Sequence, residues 1–495
     1  MDREQLWSYV KSLGGRDEFI LHEMKRLGFW DVSQGVPKLS EELRERLKTL
    51  ETELSEALTK QKKYKNRQKM LRDLRKQRMA EAKQRRVDTK ENRARQRLER
   101  AERWAGQMQE DIQWLGPGVS AGLRNTESDE AQLTAMGLPV FPNLKALAEA
   151  MKIPMNELRF LAYDKKVTRT VHYKKFKIAK KTGGFREISA PGPRLKAVQH
   201  WILEQVLNKT RLHPAAHGFV PERSSVTNAA PHIGAAVVVN LDVKDFFPSV
   251  TYQRVKGVFQ SLGYSEQMAT VFALLCTEPQ VAEMDMDGTR YFISTDQRRL
   301  PQGAPTSPAI TNILCWGMDR RFEGVARSLG WNYTRYADDL TFSKKDNTND
   351  TNRVLWQAQQ ILENEGFTVH PNKIKVMRNG HRKEVTGVVV NEKANVSREK
   401  LKKFRAVLHR LETKGIAEVE FGQGHVLESI QGFANYVLMV NPEKGSALKA
   451  QVNALLSKPE WKKLLEKAQQ QKATTPAQPI AVPTANNGLD WWRMW

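Results

Sequence analysis

RYADDLTFS, residues 335–343, sets two adjacent aspartates, Asp338 and Asp339, between two segments of β character. Asp is a common turn residue, and a solvated hairpin tip is the ordinary reading of such a pair. Two like charges side by side repel each other, so the other reading is a divalent cation held between them. The choice depends on whether the chain delivers further carboxylates to the same place.

One candidate stretch is AAVVVNLDVKDFFPSV, residues 235–250, which runs apolar from Ala235 to Val239 and reaches Asp242. A buried β-branched strand that ends in a carboxylate makes a rigid ligand. Asp242, Asp338 and Asp339 together would supply hard oxygen donors suited to Mg²⁺, with Mn²⁺ able to take its place. Two such ions about 4 Å apart activate an attacking hydroxyl and stabilise the leaving oxygen of an in-line phosphoryl displacement. Clustered carboxylates are then the means of holding the cations.

Size and charge narrow the partner. The chain has 495 residues, a formal charge of +24 and a pI near 9.8. That length suits roughly two to four domains, and that charge suits a polyanion. No apolar run approaches the roughly 20 residues of a membrane span, so no membrane partner is expected, and the opening MDREQLWSYVKSL lacks a signal-peptide core. Cys276 and Cys315 both stand among apolar neighbours; they read as reduced, buried thiols of a cytoplasmic protein.

Charge is unevenly distributed. Lys60–Arg103 carries 19 Lys/Arg against 6 Asp/Glu, a net of +13. A solvated, charge-laced helix would be more balanced, so an arm lying along phosphates is the better reading. Just before it, Leu43, Leu47, Leu50, Leu54 and Ala57 follow a heptad seam able to pair two chains, which fails at Gln61, Tyr64 and Gln68. The expected order is a small helical segment (1–37), a charged long helix for RNA or a partner (38–113) and a linker (114–130). A helical lead-in with a basic hairpin (131–235), a β-rich core (236–394), a basic helical region (395–467) and a Pro/Ala/Thr-rich tail ending in Trp491, Trp492 and Trp495 (468–495) complete it.

Two more stretches belong with the aspartates. LPQGAPTSPAITN, residues 300–312, makes a Gly/Pro-structured loop before a helix, with Gln302 able to hydrogen-bond a base or sugar. FKIAKKTGGFREISAP, residues 176–191, reads as a basic hairpin with a Gly-Gly turn, in which Arg186 offers a bidentate fork to phosphate. Either alone is weak, since a Gly-Gly between β runs is usually just a turn.

Together and in this order, YADD, LDVKDFF, LPQGAPTSP and KKTGGFREI resemble the reverse transcriptases, over roughly residues 173–411. The resemblance implies an α+β right-hand polymerase of fingers, palm and thumb, preceded here by a helical, partly coiled-coil basic extension. It implies Asp242, Asp338 and Asp339 as the catalytic and metal-binding triad, with Arg186 and Lys180 or Lys181 on the incoming dNTP and Gln302 lining its site. Phe247 matches the aromatic gate that excludes a 2′-OH, and Lys373 in VHPNKIKV the lysine that protonates pyrophosphate; His370 and Asn372 blur its register. NAAPH, with Asn228 and His232, and VTG, Val385-Thr386-Gly387, resemble two patterns of the bacterial retron enzymes, which implies RNA recognition by those residues. The retron resemblance further implies a cognate structured noncoding RNA, copied from an internal guanosine 2′-OH into branched RNA-linked single-stranded DNA. It also implies anti-phage defence with a separate effector protein; no effector motif is visible. The long N-terminal extension is similar to that of the myxobacterial type. Group II intron and diversity-generating enzymes are the rivals within the class, and a catalytically silent RNA-binding scaffold is the rival outside it.

Overall fold

The computed structural model describes residues 2–29, 39–179, 183–346, 350–422, 425–459, 461 and 464. Lys180, Lys181 and the tail with its three tryptophans lie outside the described residues. The chain divides into two units, Met1–Glu102 and Arg103–Trp495.

The first unit is helical, with Arg3–Ser12, Arg16–Arg26, Leu39–Tyr64 and the start of a helix that runs from Arg67 to Glu110. The two long helices are separated at Lys65–Asn66, where Asn66 Oδ1 accepts a hydrogen bond from the Lys69 N–H at 3.3 Å and caps the second. Leu43, Leu47, Leu50 and Leu54 are all exposed, so the seam is uncovered.

In the second unit the strands, in chain order, are β1 (Val167–Thr168), β2 (Tyr173–Ala179), β3 (Phe185–Pro191), β4 (Val237–Asp242), β5 (Glu278–Met286) and β6 (Thr289–Arg299). There follow β7 (Asn332–Tyr336), β8 (Asp339–Lys344), β9 (Lys375–Met377), β10 (Glu384–Val385) and β11 (Val388–Val389). The central sheet has the order β7-β8-β4-β9, antiparallel throughout. Its middle strand β4 is apolar on both faces because both are covered. Val237, Val239 and Leu241 enter the main core, while Val238 packs with Val385, Val388, Val390 and Val437 on the other side.

The main core is closed by helices Tyr252–Ser261, Glu266–Cys276, Ser307–Leu314, Trp316–Leu329 and Thr351–Asn364. Glu266–Cys276 is buried from Gln267 to its end, as expected of a helix that is apolar all round. Burial pushes the thiols of Cys276 and Cys315 up to about 12, so both are inert neutral groups. Sheets with helices packed on their faces, not βαβ units, make this an α+β fold.

The stretch 114–130, read from sequence as a linker, is folded into this core. Leu115, Val119 and Leu123 are buried in it, and the Leu115 carbonyl accepts from the Asp164 N–H at 2.7 Å. Turn-forming residues marked a break in the helix, not a separation of domains. A separate cluster around Phe404, Leu408, Leu427, Ile430 and Val452 is built by helices Arg398–Lys414, Val426–Val440 and Pro442–Leu456. Among the described residues no helix is long and apolar enough to cross a membrane.

Candidate active site

Asp242 closes β4 and Asp339 opens β8, and the two are paired across the sheet in register. Asp338 lies in the two-residue turn Ala337–Asp338, between the paired Tyr336 and Asp339. Its carbonyl accepts from the Val243 N–H at 3.0 Å, which stitches the turn to the residue after Asp242. Local geometry thus brings three carboxylates from two distant stretches to one end of one sheet.

Burial and mutual repulsion raise the two adjacent aspartates. Burial, then the charges of Asp338 and Asp242, push Asp339 up to about 6, against Lys373 and Lys375. Asp338 is raised by burial and by Asp242, against the positive charges of Lys373 and Arg186. These acids repel one another in a partly dry setting, a repulsion that a divalent cation would relieve. The all-oxygen donor set fits Mg²⁺. Among the described residues no three His, Cys, Asp or Glu side chains stand in ligating geometry about one point. Asp242 gives both its oxygens to Lys373 Nζ, at 2.7 and 2.8 Å.

Of the other sequence candidates, Lys373 and Arg186 act electrostatically on these carboxylates. Lys373 ends the short turn Pro371–Lys373, anchored where the His370 N–H donates to the Asp242 carbonyl at 2.8 Å. Phe247 follows β4 and packs partly buried on the main core, its ring 5.5 Å from that of Phe246. Arg186 sits on β3 opposite Ile178 of β2, in the exposed part of that hairpin. Gln302 is half-buried, and its carbonyl accepts from the Ser189 N–H of β3 at 2.8 Å. The hairpin and the Gln302 loop are therefore one structure. Gly303 makes this contact feasible: with φ at 133°, a Cβ there would fall 2.8 Å from Ile188 Cγ2 and 3.0 Å from the Ser189 carbonyl oxygen.

Comparison with known proteins gives the family. Residues 178–403 match the family model for reverse transcriptase (RNA-dependent DNA polymerase). The retron Mx162 reverse transcriptase of Myxococcus xanthus is 40% identical over 391 residues, covering 73% of this chain and 80% of that protein. The retron Mx65 enzyme of the same organism is 42% identical, covering 66% and 75%. The retron Ec86 enzyme of Escherichia coli is 33% identical, covering 66% and 93%. The chain belongs to the retron reverse transcriptases. It is an RNA-directed DNA polymerase, of the myxobacterial type, with the α+β polymerase fold.

The two retron-pattern stretches lie together against the central sheet, but mostly inside. His232 is wholly buried between the hydroxyls of Ser343 on β8, at 2.6 Å, and Thr334 on β7, at 2.7 Å. Burial, with a smaller push from His217, lowers its pKa to about 3, so the ring is neutral. Asn228 is also buried, and its Nδ2 donates to Thr386 Oγ1 at 3.3 Å. Val385 is buried, while Thr386 and Gly387 are half-buried. Thr386 and Gly387 form a two-residue turn between β10 and β11, both at positive φ (46° and 85°). A β-branched residue in that region is a strained exception. Side chains of Asn228, His232 and Val385 this deep are placed to brace the sheet, and only the Thr386–Gly387 tip is open enough to touch RNA directly.

Sequence reasoning gave no role to Arg335, Asp319, Asn312 or Gly218, which form a buried polar cluster beneath the Ala337–Asp338 turn. A charged residue within an otherwise strand-like NYTRY, and an Asp within the amphipathic WGMDRRFEGV, were the only signals.

Proposed function

We propose that this chain copies part of a cognate structured noncoding RNA into multicopy single-stranded DNA, starting from the 2′-OH of an internal guanosine. The product would carry a 2′,5′ RNA–DNA branch, and the system would serve anti-phage defence with a separate effector protein. The observation that carries the polymerase site is the in-register pairing of Asp242 with Asp339, with Asp338 in the adjoining turn. Asp242, Asp338 and Asp339 would hold Mg²⁺, which when bound supplies activation of the attacking hydroxyl and stabilisation of the leaving oxygen.

The remaining residues orient the nucleotide. Arg186 meets the triphosphate, together with Lys180 or Lys181. Gln302, fixed to β3, lines the base and sugar. Phe247 stands behind the sugar and excludes a 2′-OH by its bulk. Lys373 holds its ammonium on the Asp242 side, where a proton for departing pyrophosphate is needed. The basic helix after Arg67 supplies phosphate contacts to the RNA, and the Thr386–Gly387 turn adds a specific one. Leu43–Leu54 offers a seam for self-association.

Asp338→Asn tests the site. Mg²⁺-dependent cDNA synthesis should vanish while RNA affinity stays within about twofold, and retained synthesis refutes the assignment. Treating wild-type product with a 2′,5′-debranching activity should release the DNA from RNA; a linear product refutes the priming.

A further inference from the structure

Arg335 is wholly buried, and its guanidinium is committed to the back of the proposed metal turn. Nε and Nη2 form a bidentate pair with Asp319, at 2.8 and 2.7 Å, both side chains being 0% exposed. Tyr333 donates its hydroxyl to the same Asp319 at 2.8 Å. Arg335 Nη1 then donates to Asn312 Oδ1 at 2.9 Å and to the Ala337 carbonyl at 3.3 Å. Asn312, on the helix that follows the Gln302 loop, passes the chain on through Nδ2 to the Gly218 carbonyl, at 2.9 Å. Gly218 lies flat on the turn, since a Cβ there would stand 2.5 Å from the Ala337 nitrogen. Residues before Gly218 run beside β7, with the Arg335 N–H donating to the Ala215 carbonyl and the His217 N–H donating to the Arg335 carbonyl, both at 2.8 Å.

Two of these contacts reach one backbone feature, and the others hold Arg335 and Gly218 in place. Ala337 holds φ at 56°, a region that only Gly visits freely. That rotation sets the direction in which Asp338 leaves the turn. A buried ion pair is a poor source of stability, because apolar residues of the same volume do as well or better. What it supplies is directional: a planar fork fixed on two oxygens leaves the remaining donors with one orientation.

We infer that Arg335, oriented by Asp319 and Asn312, is a positioning residue that tethers the left-handed Ala337 and so aims Asp338 at the metal. The inference rests on the reading of Asp338 as a metal ligand. It also makes the Gln302 loop helix and the Gly218 segment part of the same brace, so that nucleotide pocket and metal turn hold a common register.

The test uses the full chain with its RNA and a primer–template. Arg335→Lys keeps the charge but loses the fork and the tether. The expected result is a fall in kcat of about tenfold or more and a higher Mg²⁺ requirement, with KM for dNTP within about twofold. Ala337→Gly, which makes a positive φ free, should recover at least about threefold of that loss in the Arg335→Lys background. A merely structural Arg335 would show neither the Mg²⁺ shift nor the rescue. Arg335→Met with Asp319→Leu replaces the pair by apolar volume and should lose kcat in the same way, with a lower melting temperature because the Tyr333 hydroxyl and the Ala337 carbonyl lose their partners. If Arg335→Lys does not fold, Asn312→Ser removes one acceptor with the ion pair intact, and the same kcat and Mg²⁺ changes are expected. Wild-type kcat and Mg²⁺ dependence in a folded variant, or absence of rescue by Ala337→Gly, overturns the tether. Asp338→Asn run alongside separates the two readings: if it retains synthesis the metal assignment fails, whereas if it is dead and the Arg335 variants are normal only the tether fails.

Discussion

His232 bridges β7 and β8 by hydrogen bonds to Thr334 and Ser343, on the hairpin whose turn carries Asp338. Its pKa in the folded protein is about 3, against 6.5 for a free imidazole. The sign follows from linkage. The opened hairpin takes up a proton first, so the stabilisation is complete above the unfolded value and is lost as pH falls from about 6.5 toward about 3. Within that window the slope is about 1.4 kcal/mol per pH unit. Between about pH 7 and about pH 5 His232 should therefore remove about 2 kcal/mol of the hairpin's opening free energy. Amide hydrogen exchange at Thr334 and Ser343, corrected for intrinsic rates at each pH, reads this quantity directly. His232→Gln keeps a donor and an acceptor but has no proton to take up, so its loss over the same range should be smaller than that of wild type by about 2 kcal/mol. His217, also lowered, to about 4, titrates in the same window, but it is common to both proteins and cancels in the difference. Equal pH slopes for wild type and variant would refute the reasoning, because they would show that His232 is not carried neutral into the fold.

Three other perturbations probe separate parts of the molecule. Phe247→Ala should admit ribonucleotides and narrow the dNTP/rNTP ratio of kcat/KM by about tenfold or more; an unaltered ratio removes the gate role. Gly303→Ala forces a Cβ against Ile188 and Ser189 at φ 133°, which should cost about 2–4 kcal/mol in stability and raise KM for dNTP as Gln302 is displaced from β3; an unchanged melting temperature contradicts the close approach. Arg86, Lys90, Arg93 and Arg97 recur at helical spacing on the exposed basic helix, and changing all four to Gln should make the log–log salt dependence of RNA binding shallower by up to roughly 3. An unchanged slope would assign that helix to something other than phosphate.

Readable in sequence were those features that depend on neighbours along the chain. The apolar run into Asp242, the double Asp at a hairpin, and the Gly-Gly hairpin with Arg186 all lie within short windows, and β4, β7–β8 and β2–β3 follow them. The β5–β6 hairpin was equally available, since Asp287-Gly288 takes positive φ at both residues, the signature of a tight two-residue turn. Unreadable was whatever depends on which distant segments meet. Asn228 and His232 lie in a polar, turn-like stretch that suggests an exposed RNA contact, yet the fold places both inside. Nothing in the window shows that Thr334, Ser343 and Thr386 wait to satisfy them.

That distinction bears on how such a site keeps its precision. Carboxylates at strand ends are located by β pairing, which fixes Asp242 and Asp339 by register alone. Asp338 has no such partner, because it belongs to the turn itself, and turns without Gly at a positive φ hold their shape only if something else over-determines them. Here that something is polar and buried: Arg335 on the Ala337 carbonyl below, Gly218 flat against the Ala337 nitrogen, and the Val243 amide on the Asp338 carbonyl. Thr386, strained in the same sense, is likewise held by Asn228. Apolar packing would give comparable stability at both places but would tolerate several turn conformations. Buried hydrogen bonds tolerate one, since each alternative leaves a desolvated group unpaired. The two strained turns, one at the proposed metal site and one at Thr386–Gly387, are therefore where single polar substitutions should cost activity out of proportion to stability.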